Sequence, residues 1–131
     1  MATCFRWLDE QTFWGPPISG TTDLFVSPAL DVSEFGMVEI IIYCASRGAD
    51  SPWVIVETAI ADDTAMWVRA TPSSLLLAPG SKKKLVLKAS QTSAGEPGIL
   101  ERFIRLKIDP DSNETWWYTL QVDVIGYPEA A

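Results

Sequence analysis

The chain has 131 residues, with 17 Asp and Glu against 10 Lys and Arg, no His at all, and a formal charge of −7. So acidic a chain releases few counterions from phosphates and is repelled by anionic lipid, which sets aside general nucleic-acid and membrane-surface binding. Without His it lacks the commonest general base and metal ligand, and its length with 47% hydrophobic residues fits one domain around one core.

In chain order, the N-terminus carries no apolar stretch of the kind that opens a secretion signal, so a cytoplasmic or particle-associated location is expected. Residues 1–20 read as an arm or first strand: Phe5–Leu8 is a short strand, and Phe5, Trp7, Phe13 and Trp14 precede the breaker Gly15-Pro16-Pro17. Residues 21–131 read as the domain proper. Short runs rich in Val, Ile, Leu and Trp, punctuated by Gly, Pro, Asp and Ser, predict strands at 23–27, 37–45, 53–60, 66–70, 75–77, 83–89, 102–108 and 115–125. A single helical turn is expected near Leu30–Glu34, after Pro28, and no longer helix. The expected fold is all-β: a single-domain, jelly-roll-like antiparallel β-sandwich of about eight strands with an N-terminal aromatic arm. Cys4 and Cys44 have no zinc-type spacing and read as two buried, reduced small residues.

Side chains alternate between the two faces of a strand, so the apolar set of each strand names its buried face. The expected core is Val38, Ile40, Ile42 and Cys44; Val54, Val56, Thr58 and Ile60; Ile104, Leu106 and Ile108; and Trp116, Tyr118, Leu120, Val122 and Val124. The opposite faces are more apolar than a free monomer requires, with Ile41, Tyr43, Trp53, Ile55, Phe103 and Trp117 all directed outward. Either a loop or the N-terminal segment covers them, or, if their strands are neighbours, they form one patch that meets a partner. Together with Phe5, Trp7, Phe13 and Trp14 they are the candidate interface.

Asp109, Asp111 and Asn113 have the alternating oxygens that open a calcium loop, but Glu114 stands where the turn needs Gly and Leu120 where a bidentate Glu belongs. The stretch reads as a hairpin loop, and no metal or other cofactor is expected. Lys82, Lys83, Lys84 and Lys88 form the basic patch. On an edge strand such lysines oppose strand-to-strand aggregation, and in an acidic protein they can also dock on an acidic neighbour. No His activates a Ser or Cys nucleophile, and the one carboxylate pair worth naming, Glu39 with Glu57, has no context that raises a pKa. No enzyme activity is expected.

Val26-Ser27-Pro28-Ala29-Leu30-Asp31-Val32, then Val54-Ile55-Val56-Glu57-Thr58 with Asp62, Asp63 and Trp67, then Arg102-Phe103-Ile104-Arg105-Leu106, resemble the galactose-binding-like, discoidin-type jelly roll over residues 25–124. The resemblance implies a jelly roll that binds sugars, lipid headgroups or other proteins. The chain departs from secreted members in lacking a signal peptide and a terminal disulfide pair, and no binding residue carries over. Two functions follow as expectations. One is a structural or assembly subunit, or a decoration protein, of a virion, phage or phage-like particle, working through contacts with protein partners. The other is a carbohydrate-binding module that holds a saccharide on Trp53, Trp67, Trp116 or Trp117.

Overall fold

A computed structural model describes residues 2–15, 25–48, 52–71, 75–93, 95, 97–110 and 115–128. Among these residues eleven strands lie in two sheets: β1 (Thr3–Gly15), β2 (Phe25–Val26), β3 (Leu30–Asp31), β4 (Met37–Gly48), β5 (Pro52–Ala59), β6 (Val68–Arg69), β7 (Leu75–Leu76), β8 (Lys82–Lys88), β9 (Gly98–Ile99), β10 (Phe103–Pro110) and β11 (Trp116–Tyr127). One sheet has the order β1-β11-β4-β8-β9; the other has β2-β10-β5-β6, with β3 also on β10 and β7 also on β5.

Counting β2 with β3 and β6 with β7 as single interrupted strands and leaving the two-residue β9 aside, the first strand pairs with the eighth, the second with the seventh, the third with the sixth and the fourth with the fifth. That is one long hairpin rolled onto itself. Pairing of β4 with β11 and of β5 with β10 closes the two sheets. The result is an antiparallel jelly-roll sandwich.

Alternation places the core as expected in the four long central strands. Val38, Ile40, Ile42 and Cys44, Val54, Val56 and Thr58, Ile104, Leu106 and Ile108, and the even-numbered residues from Trp116 to Val124 are all buried between the sheets. Ile60 is the exception, 61% exposed, because β5 ends at Ala59 and the chain bends away into a 3₁₀ turn at Thr64–Met66. Asp63 caps that turn, its Oδ1 accepting from the Ala65 amide at 3.1 Å. The expected turn near Leu30–Glu34 is the short strand β3 followed by a turn in which the Phe35 amide donates to the Val32 carbonyl at 3.0 Å.

The N-terminal segment lies in the sheet. Thr3–Gly15 runs antiparallel to β11 along its whole length, interrupted by register shifts between Arg6 and Leu8 and between Leu8 and Gln11. Glu10, at φ 40°, takes up the irregularity. This bulge breaks the apolar-polar alternation, which is why the segment reads in sequence as an arm. Phe13 is in the core, and Phe5 and Trp7 pack against it half-buried. Of the two cysteines only Cys44 is buried, and that burial pushes its thiol pKa up; Cys4 is exposed on the outward side of β1.

Candidate interaction surface

The ten apolar residues named as a candidate interface divide into three groups. Phe13, Phe5 and Trp7 face the core and are withdrawn from the surface by β1 joining the sheet. Ile41, Tyr43, Trp14 and Trp117 belong to the five-stranded sheet, whereas Trp53, Ile55 and Phe103 belong to the other. The outward residues of the two sheets look in opposite directions, so they make no single patch.

Several of the outward apolar side chains lie beneath cations. Lys82 Nζ sits 5.8 Å from the Tyr43 ring centre, and the Arg102 guanidinium 4.9 Å from that of Phe103. Arg105 lies 4.2 Å over Trp67. Long charged side chains cover apolar surface with their stems while the head stays in water, and over a ring the head is also attracted to the π face. Arg105 is in turn fixed by Glu57, its Nε donating to Oε1 at 2.7 Å, with Lys107 Nζ 3.9 Å from the other carboxylate oxygen. Glu57 is thereby part of a charged ladder on one sheet, and Glu39 lies on the other. The two carboxylates do not flank a common site.

Among the described residues, the tryptophans most open to solvent gather at one end of the sandwich. Trp14, near the end of β1, is directly opposite Trp117, at the start of β11, and the two are 75% and 40% exposed. Trp117 also pairs with Gly48, the last residue of β4. A Cβ built on Gly48 would fall on the pyrrole edge of the Trp117 indole, so this ring rests directly on the glycine backbone. Next to it in sequence Trp116 points the other way, buried and stacked on Tyr118 with ring centres 5.3 Å apart; its Nε1 finds no hydrogen-bond partner among the described residues. Trp53 reaches the same end of the sandwich from the other sheet and pairs with Leu76, the two being 37% and 47% exposed. Of the four tryptophans named for a saccharide, then, Trp116 is interior, Trp67 has a face taken by Arg105, and Trp53 and Trp117 are open.

The basic patch is Lys82, Lys83 and Lys84, all exposed on β8, while Lys88 is half-buried. Strand β9 pairs with β8 only at Leu87 and Lys88, so among the described residues the lysine end of β8 is a free sheet edge. At the opposite edge, on β1, Arg6 donates to Asp123 Oδ1 at 2.9 Å and to Asp9 Oδ1 at 3.1 Å. The bond from Arg6, foremost, holds the Asp123 carboxyl below its ordinary pKa. Asp111 and Asn113, and the side chain of Asp109, lie outside the described residues, and among those described no cluster of three or more acidic or Cys side chains could hold a metal. No helix of the described residues is long and apolar enough to cross a membrane.

One feature carries no signal in the sequence. At the end away from the tryptophans, Val32, Phe35, Leu100 and Arg102 line a cleft of about 250 Å³. It forms where the turn before β4 meets the stretch leading into β10, two segments far apart in the chain. Arg102 at its rim pairs with Asp31 at 3.4 Å.

The sequence matches no family model and no curated protein. Two solved structures are similar in fold. One is the structure of the infectious bursal disease virus Gx strain, with a TM-score of 0.46 and 13% identity over 100% of this chain and 33% of that one. The other is a crystal structure of the T13 IBDV viral particle, with a TM-score of 0.47 and 13% identity over 97% of this chain and 31% of that one. These neighbours are viral particle proteins, and the present chain spans about a third of their length.

Proposed function

We propose that this chain is a non-enzymatic structural subunit, or a decoration protein, of a larger particle such as a virion or phage-like assembly, and that it works through contacts with protein partners at the Trp14–Trp117 corner. The observation that carries the reading is the exposure of these two adjacent tryptophans, at the end of the sandwich where Trp53 is also open, while Tyr43, Trp67 and Phe103 lie beneath cations and Phe13 and Trp116 are turned inward. Tryptophan dominates the energetic centres of protein interfaces. Burying the open part of Trp14 alone is worth on the order of 3–4 kcal/mol at about 25 cal/mol per Å². The chain's lack of His supports a contact role over a catalytic one.

The test is the double variant Trp14→Ala/Trp117→Ala. Both side chains lie on the outward face, so its thermal melt should stay within about 1 kcal/mol of the parent, while association read by light scattering weakens by about a hundredfold or more. Unchanged association would refute the reading.

The bed of Trp117 on Gly48, which leaves an indole beside Trp14 open to solvent, supports a second reading, a saccharide platform. Titration of tryptophan fluorescence with soluble polysaccharides separates the two. A saturable response lost in the double variant supports the saccharide; no response with association retained supports the protein contact.

A further inference from the structure

The five-stranded sheet has two edges of opposite charge. On one, the β1 irregularity carries Asp9 and Glu10, both exposed, and Arg6 pairs with Asp9 and, across on β11, with Asp123. On the other, β8 presents Lys82, Lys83 and Lys84 along its free stretch. Among the described residues neither Lys83 nor Lys84 has an ion-pair partner, so their charge is available outward.

The two charged stretches stand at the same height in the sheet. Lys82 pairs with Tyr43 and Tyr43 with Gln121. Gln121 in turn lies between Leu120 and Val122, whose β1 partners are Gln11 and Leu8, so the row through Lys82 ends at the Asp9–Glu10 bulge. Every pairing from β1 through β11 and β4 to β8 is antiparallel, so β8 runs opposite to β1. A second copy set beside the first in the same orientation therefore brings its β1 edge antiparallel to the free β8 edge, acids level with lysines.

We propose that copies of this chain dock side by side, the Asp9–Glu10 bulge of one against Lys82 and Lys83 of the next. This rests on the reading of the chain as an assembly subunit and names its partner, a second copy. The charges select the geometry by rejecting the alternatives: β8 against β8 sets lysines on lysines, and β1 against β1 sets acids on acids. Only the head-to-tail contact is complementary, and repeated it makes a ring or a filament instead of closing as a two-fold dimer. The bulge interrupts any continuous backbone ladder across the contact, so side chains hold it. Exposed ion pairs each contribute little, so the edge fixes orientation and register while Trp14, on the same strand, supplies the buried area.

The experiment is a charge exchange read by sedimentation at low and high salt. Wild-type association should weaken as salt rises. Lys82→Glu/Lys83→Glu and Asp9→Lys/Glu10→Lys should each, alone, associate roughly tenfold or more weakly than the parent. An equimolar mixture should recover association, because each variant then offers the other an opposite edge. Melting curves verify that both are folded; should either reversal unfold the chain, Lys82→Gln/Lys83→Gln and Asp9→Asn/Glu10→Gln replace them and should abolish the salt dependence. Variants that associate as the parent does, or a mixture no tighter than its components, would overturn the docking. If the tryptophan variant loses association while the charge variants keep it, this edge contact falls and the tryptophan corner stands; a wild type that stays monomeric at every concentration and salt removes both.

Discussion

Replacing Ile104 or Leu120 by Ala lowers the unfolding free energy by about 2–5 kcal/mol in urea or thermal denaturation. Both are fully buried, Ile104 on β10 and Leu120 on β11, so each faces the core from a central strand of a different sheet. The loss combines the transfer energy of the deleted methyl groups with the cavity left between two sheets that cannot collapse onto it. The companion result matters as much: Trp117→Ala, one strand position after a buried neighbour, shifts the melt far less. A strand slipped by one residue would invert these outcomes, so the set of variants reads out the register.

Thr58→Val destabilises by about 1–3 kcal/mol although it preserves the shape of the side chain. Thr58 is buried, its Oγ1 accepting from the Glu101 amide at 2.8 Å and donating to the Phe103 carbonyl at 3.0 Å. The hydroxyl thus satisfies both backbone groups where the chain turns into β10. Valine fills the same space and leaves the Glu101 amide and the Phe103 carbonyl, both partly buried, without this partner. A Ser at this position keeps both bonds and should lose only the packing of one methyl group, so the Val and Ser variants separate the polar contribution from the apolar one.

The long strands are legible in the sequence because period-two alternation is a local property: Val38 to Cys44, Ile104 to Ile108 and Trp116 to Val124 each identify their own buried face without reference to any other segment. β1 is not legible for an equally local reason. Its bulge places Trp7 and Leu8 side by side and follows them with four polar residues, which erases the alternation and hides a strand that carries Phe13 into the core. The two-residue β9 is too short to show a period at all. The candidate surface fails differently. Which sheet an outward residue belongs to depends on the order of strands, and successive long strands such as β4 and β5 go to opposite sheets, so Tyr43 and Trp53, near in sequence, look in opposite directions. Nor does sequence say that Arg105 will lie over Trp67 or Arg102 over Phe103, because those placements require the finished fold. The tryptophan corner itself is half legible: Trp117 falls on the outward face of its strand and Trp14 stands out as an aromatic of the arm, but their opposition across the β1–β11 ladder needs the pairing of the first strand with the last.

Hydroxyl-radical footprinting of the chain, from dilute to concentrated solution, tests the contact surface most directly. Met66, 43% exposed at the opposite end of the sandwich, is the internal reference. Oxidation of Trp14 and Trp117 should fall as the chain associates while that of Met66 stays constant. Association that leaves Trp14 and Trp117 as reactive as they are in the monomer would contradict the assignment of this corner as the contact.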